Sequence, residues 1–171
     1  MDDCPLILTA LLDEPARQHF DDLRRRHFPA GRNHIDAHLT LFHHLPGDHE
    51  SEISHTVSDA VRRPAPTARV TGVRLLGRGV AFTLACPELA TLRRDLARAW
   101  DPWLTGQDRG KDDLHVTVQN KVDPSEARAL HDGLASGFEP YDVPVTGLAL
   151  WHYRGGPWSP GPRHHFDDVR S

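Results

Sequence analysis

The sequence predicts an α+β fold made of two pseudosymmetric halves, each a largely antiparallel sheet with helices on its outer face, and a cleft between the two lobes. Three observations predict it. Apolar runs of strand length alternate with segments of helical period. A His-x-Thr strand occurs twice, at His38 and at His115. Each of these strands leads through a helix into a strand containing Val-Thr-Gly, with His38 lying 33 residues before Thr71 and His115 lying 31 before Thr146. Self-similarity at a matched spacing marks a duplicated unit. The expected organisation is one domain over residues 1–171, with repeats at approximately 30–86 and 106–160 and the terminal segments completing the lobes.

The elements follow in order. Leu6 to Leu12 reads as a buried strand, and Asp13-Glu14-Pro15 starts a helix with Phe20, Leu23 and Phe28 near one face. Arg24, Arg25 and Arg26 fall on that helix and read as a solvated face. From Ala37 to Leu45 a strand places Leu39 and Leu41 on one side and His38, Thr40 and Phe42 on the other. Pro46-Gly47 turns it, and Ile53, Val57, Ala60 and Val61 stripe a second helix that Pro64 and Pro66 stop. Val70 to Leu76 and Val80 to Leu84 form a strand pair. A helix from Pro87 carries Leu89, Leu92, Leu96 and Trp100 in phase, and the polar loop Thr105 to Asp113 leads to the second histidine strand. Asp123-Pro124-Ser125-Glu126 starts the next helix, then come a strand from Val143 to Tyr153 and a last strand over His164 to Val169.

Composition narrows the function. A length of 171 residues suffices for a real core, and 38% hydrophobic with 26% charged residues is ordinary for a folded soluble chain. The formal charge of −4 argues against an avid binder of long duplex nucleic acid, which needs net positive potential. It leaves room for a small phosphate ester or a nucleic-acid end in a locally positive cleft. Cys4 and Cys86 make neither a disulfide framework nor a CxxC site. The acidic start Met1-Asp2-Asp3 is unlike a signal peptide, and the run Leu6 to Leu12 is too short to span a bilayer. A cytoplasmic protein without membrane attachment or obligate protein partner is expected.

The two histidine words carry the chemistry. In a chain with 13 histidines one His-x-Thr is expected roughly once by chance; two copies with apolar residues at both remaining positions fall below about 1%. A phosphodiester is cleaved or transesterified when one group deprotonates the nucleophile and another protonates the leaving oxygen. Imidazole, with an unperturbed pKa near ~6.5, serves either role near neutrality. His38 and His115 on opposed strands supply both, and the hydroxyls of Thr40 and Thr117, two residues on, can hold a non-bridging phosphate oxygen. Alternation keeps Phe42 and His44 on the first working face and Gln119 and Lys121 on the second, so Phe42, Gln119 and Lys121 are candidate substrate contacts.

The sequences His38-Leu39-Thr40-Leu41 and His115-Val116-Thr117-Val118 resemble the paired HxTx motifs of the 2H phosphoesterase superfamily, near its bacterial 2′-5′ RNA ligase-like (LigT-like) branch. The resemblance in layout covers roughly Leu6 to Val169. It implies a bilobal fold around a central cleft and a metal-independent phosphodiesterase or transesterase without cofactor. It also implies substrates among 2′,3′-cyclic phosphates, opened to 2′-phosphates, and 2′-5′ linkages at RNA ends, hence a role in RNA processing or cyclic-nucleotide hydrolysis. His38 and His115 take the catalytic roles and Thr40 and Thr117 the phosphate-binding ones. Many members have a proline before the second histidine and a basic residue soon after its motif; this chain has Leu114, then Gln119 and Asn120 before Lys121.

Other signals point elsewhere. His34 and His38 have the spacing of helical metal ligands, but on a strand they lie about 13 Å apart, too far to share one zinc ion. Gly106 to Asp112 has the wrong glycine spacing for a triphosphate loop, and Arg109 and Lys111 there are candidates for positive potential at the cleft entrance. His164 and His165 read as surface polarity, and Trp151, Tyr153 and Trp158 as packing aromatics with base stacking as the lesser reading. A noncatalytic module for RNA ends or cyclic nucleotides and a metal-dependent hydrolase built on the histidine-rich first half are the competing functions.

Overall fold

The computed structural model describes residues 4–110 and 113–167. Its strands are β1 (Leu6–Leu12), β2 (Leu39–Leu45), β3 (Thr67–Leu75), β4 (Val80–Ala85), β5 (His115–Gln119), β6 (Tyr141–His152) and β7 (Ser159–His165). Its helices are α1 (Glu14–His27), α2 (Glu50–Ala60), α3 (Pro87–Ala99), α4 (Gly106–Arg109) and α5 (Pro124–Ala135). Local chemistry places several boundaries. The Asp13 carboxylate accepts the Ala16 N–H at 3.2 Å and Pro15 occupies the first turn of α1. Proline likewise opens α3 and α5, where its missing N–H costs nothing.

The expected α+β architecture with an antiparallel sheet is present, but hydrogen bonding joins all seven strands in the order β1-β2-β5-β4-β3-β6-β7. Strand β6 also pairs with β1, closing a ring through β1, β2, β5, β4, β3 and β6. The length of β6 makes this possible: residues 141–144 lie along β3, while 145–152 lie along β1 and β7. Strands of the two expected repeats therefore pair directly, β3 with β6 and β4 with β5, while β1 from the terminal segment lies between β2 and β6. Neither half is a self-contained sheet. The last strand begins at Ser159, earlier than expected, and Val169 lies outside the described residues.

One core fills the structure. Leu6, Leu8, Leu39, Val116, Val118, Leu148 and Leu150 are buried in it from the sheet, and Phe20, Ile53, Val57, Leu89, Leu92 and Leu96 from the helices. Alternation then turns His38, Thr40, His115 and Thr117 away from it.

The Val-Thr-Gly words have unequal reasons. A Cβ on Gly147 would lie 2.5 Å from the His164 carbonyl oxygen, so only glycine lets β7 approach β6 there. At Gly72 the nearest atom is Thr83 Oγ1, at 3.4 Å, an ordinary contact. Gly147→Ala is expected to cost about 1–3 kcal/mol through displaced backbone, and Gly72→Ala far less. Urea unfolding of the two variants checks this; equal losses would refute the asymmetry.

Candidate active site

Two bulges shape the histidine strands. Along β2 the partner of Thr9 is Thr40 and the partner of Leu8 is Phe42, so two residues of β2 advance against one of β1. Along β5 the partner of Ala81 is Thr117 and that of Val80 is Gln119, the same irregularity just after the second threonine. A bulge reverses the facing of the residues beyond it. Phe42 and Gln119, expected on the working face, are both turned inward: Phe42 is fully buried with its ring 5.1 Å from that of Trp100, and Gln119 is 2% exposed. Neither is available to a substrate. Lys121 follows the end of β5 with a left-handed backbone (φ 63°) and lines a surface depression of about 450 Å³ shared with Arg26 and His27, apart from the cavity at His38. His44 is exposed beyond the first bulge.

A second register shift, between the pairs Leu8–Phe42 and Leu6–Leu45, spans His43 and His44, whose backbone N–H groups are met by a side chain. Asp108, fully buried, does this: Oδ1 accepts the His43 N–H at 2.8 Å and Oδ2 the His44 N–H at 2.9 Å. Arg93 completes the clamp, donating Nε–H to the Leu41 carbonyl at 2.9 Å and Nη2–H to the Asp108 carbonyl at 2.7 Å, with its guanidinium 4.4 Å from the Phe42 ring centre. Burial opposes ionisation of Asp108, but the imidazole and N–H of His43 and the N–H of His44 outweigh it and hold the carboxyl below its ordinary value. Sequence reasoning placed this residue in a loop at the cleft entrance and missed its role. Arg109 of the same segment is tied to Asp101 and the Leu104 carbonyl, and Lys111 lies outside the described residues.

Leu39 and Val116 are the one residue pair joining β2 to β5. That antiparallel register puts His38 opposite Thr117 and Thr40 opposite His115, all four on the face turned from the core. The histidines are then diagonal neighbours across the strand pair, close enough that His115 acts electrostatically on His38. Each imidazole is held alike. His38 Nδ1 lies 2.8 Å from the Asp36 carbonyl oxygen, and His115 Nδ1 lies 3.0 Å from that of Asp113. A carbonyl only accepts, so both Nδ1 atoms carry hydrogen and both Nε2 atoms are left for a ligand. The repeated word is thus Asp-x-His-x-Thr, a signal that was present in the sequence two residues before each histidine.

Burial pushes the His38 pKa down to about 4, helped by the positive charge of Arg24 and by His115 and His43, against the Asp36 carbonyl, which favours the protonated ring. The Trp158 ring lies 4.6 Å from that of His38 and 6.2 Å from that of Trp151. Trp151 donates its Nε1–H to Thr9 Oγ1 at 2.9 Å, and the Arg163 guanidinium lies 5.4 Å from its ring centre. With Asn33 and Ile35 these residues line a cavity of about 340 Å³ beside His38, so both tryptophans face the site. His164 instead meets Ser54 Oγ through Nε2 at 2.9 Å, and Tyr153 is exposed. Among the described residues no group of three His, Cys, Asp or Glu side chains is arranged to hold a metal ion, and no helix is long and apolar enough to cross a membrane.

A family model described as the 2′-5′ RNA ligase superfamily matches residues 12–157. The fold resembles that of Escherichia coli LigT complexed with 3′-AMP, at 20% identity over 98% of this chain and 100% of that chain, with a TM-score of 0.63. TT0787 of Thermus thermophilus is similar at 15% identity, 95% and 97% coverage and a TM-score of 0.61. A crystal structure of a phosphoesterase is similar at 21% identity, 96% and 99% coverage and a TM-score of 0.60. The comparison with curated proteins finds no match. With the family model matching most of its length, the chain belongs to the 2′-5′ RNA ligase superfamily of 2H phosphoesterases.

Proposed function

We propose that the protein is a metal-independent phosphodiesterase or transesterase that acts on 2′,3′-cyclic phosphates or 2′-5′ phosphodiester linkages of RNA ends or nucleotides, with His38 and His115 as general base and acid. The observation that supports this reading is the matched pair of Nδ1–carbonyl bonds, which leaves the Nε2 atom of each histidine free for proton transfer on strands that pair beside them at Leu39 and Val116. Low basicity suits His38 to start neutral. In hydrolysis its Nε2 takes a proton from water as the water oxygen bonds to phosphorus. The bond from phosphorus to the leaving ribose oxygen breaks, and that oxygen takes a proton from His115 Nε2. The threonine hydroxyls hold the non-bridging oxygens as charge accumulates there. Trp158 and Trp151 offer a stacking wall for a base, with Arg163 adding positive charge. The 3′-AMP in the E. coli LigT structure agrees with a nucleotide of this size.

A product-resolved assay over 2′,3′-cyclic nucleotides and 2′-5′ oligonucleotides tests the proposal, because the position of the phosphate in the product reports which oxygen left. Turnover is expected to survive chelation by EDTA. Tight binding with no turnover of any substrate would instead identify a binding module. The pH profile is a separate check. His38 is protonated only as pH falls through about 4, so the acid limb of kcat/KM should lie there and not near ~6.5, where an unperturbed imidazole would place it. An acid limb at the ordinary imidazole value rules out His38 as the base.

A further inference from the structure

The arginine run on α1 is not uniformly solvated: Arg25 and Arg26 are exposed, but Arg24 is 5% exposed. Its guanidinium is a bridge. Nε–H donates to Asn33 Oδ1 at 2.7 Å and Nη1–H to the Thr117 carbonyl at 3.0 Å, with the Phe28 ring 4.0 Å away. One turn earlier, Asp21, 8% exposed, accepts the Ala37 N–H at 2.7 Å. The segment 33–37 runs directly into His38 and supplies the Asp36 carbonyl that orients its ring. One buried face of α1 therefore grips the approach to the first histidine and the strand of the second threonine.

We propose that Arg24, supported by Asp21, is a positioning residue for the reaction: it ties the segment that aims His38 to the strand that carries Thr117 and so sets the gap in which phosphate is held. The inference rests on the proposed reaction for its activity readout and on geometry alone for the rest. Few backbone contacts do this work otherwise, since β2 and β5 share the single pair Leu39 and Val116. A planar fork presents its two donors to these acceptors at fixed separation, whereas a lysine ammonium donates from a single nitrogen on a flexible stem and does not fix the distance between them. Charged and titratable groups acting on His38 are Arg24 from α1, His43 on β2 and His115 on β5, with Arg17, His34, Asp36 and Arg163 on the cavity walls.

The test compares Arg24→Lys, Arg24→Gln and Asn33→Ala with the wild type in kcat, KM, thermal midpoint and the NMR titration of the His38 ring. A misplaced reacting group lowers the chemical step, so kcat of Arg24→Lys should fall by ~10–10²-fold with KM within about threefold. Asn33→Ala, which keeps the buried charge and loses one bond, should fall by about tenfold with its thermal midpoint nearly unchanged, and it carries the test if the Arg24 variants do not fold. The His38 midpoint should rise in Arg24→Gln. Folded variants with wild-type kcat overturn the proposal. If the wild type turns over no substrate in the panel, the reaction assignment has failed, and the NMR arm decides alone. An unchanged His38 titration in both Arg24→Gln and Asn33→Ala then overturns the positioning role.

Discussion

Alanine at either His38 or His115 should lower turnover of a 2′,3′-cyclic nucleotide by ~10²–10⁴-fold, the usual contribution of a positioned acid or base. The double variant should lose little more than the worse single one, because groups that act in one step are not additive. Both side chains face away from the core, so the variants should remain folded and keep much of their affinity for the product nucleotide. Circular dichroism and product titration separate loss of chemistry from loss of structure. Unchanged turnover in either folded single variant would falsify the two-histidine assignment.

The second large effect concerns stability. Asp108→Ala should destabilise the fold by about 2–4 kcal/mol, since it removes the acceptor oxygens of the part-buried N–H groups of His43 and His44. For a chain of this length that is roughly 10 °C in thermal midpoint. The sign with pH follows from the depressed carboxyl. Its stabilising contribution is complete above the unfolded value of 3.8 and is lost as pH falls through the lower folded value. The deficit of the variant should thus be constant through neutrality and narrow only in strong acid. Calorimetry at several pH values reads this directly, and a deficit under about 1 kcal/mol at neutral pH would mean the bulge needs no clamp.

The shared facing of His38, Thr40, His115 and Thr117, away from the core, was legible because a strand repeats every two residues, and alternation up to each threonine is regular. Phe42 and Gln119 were misread for one reason. The bulge after each threonine leaves no mark in the hydrophobic pattern, as Leu41-Phe42 and Val118-Gln119 show only once their cross-strand partners are known. Arg24 was misread because a run of like charges looks the same whether all its members are solvated or one is drawn beneath a neighbouring strand.

By itself, the sequence determined the α+β class, nearly all the strands and helices and the outward facing of the two HxTx words, all of which depend on local periodicity and capping. The tertiary structure alone decided how the halves combine. The pairing of β3 with β6, the closure of β6 onto β1 and the Asp108–Arg93 clamp depend on hydrogen bonds between residues far apart in the chain. Which strand satisfies a given edge, and which charge can be buried beside it, depends on partners that no window of neighbouring residues contains.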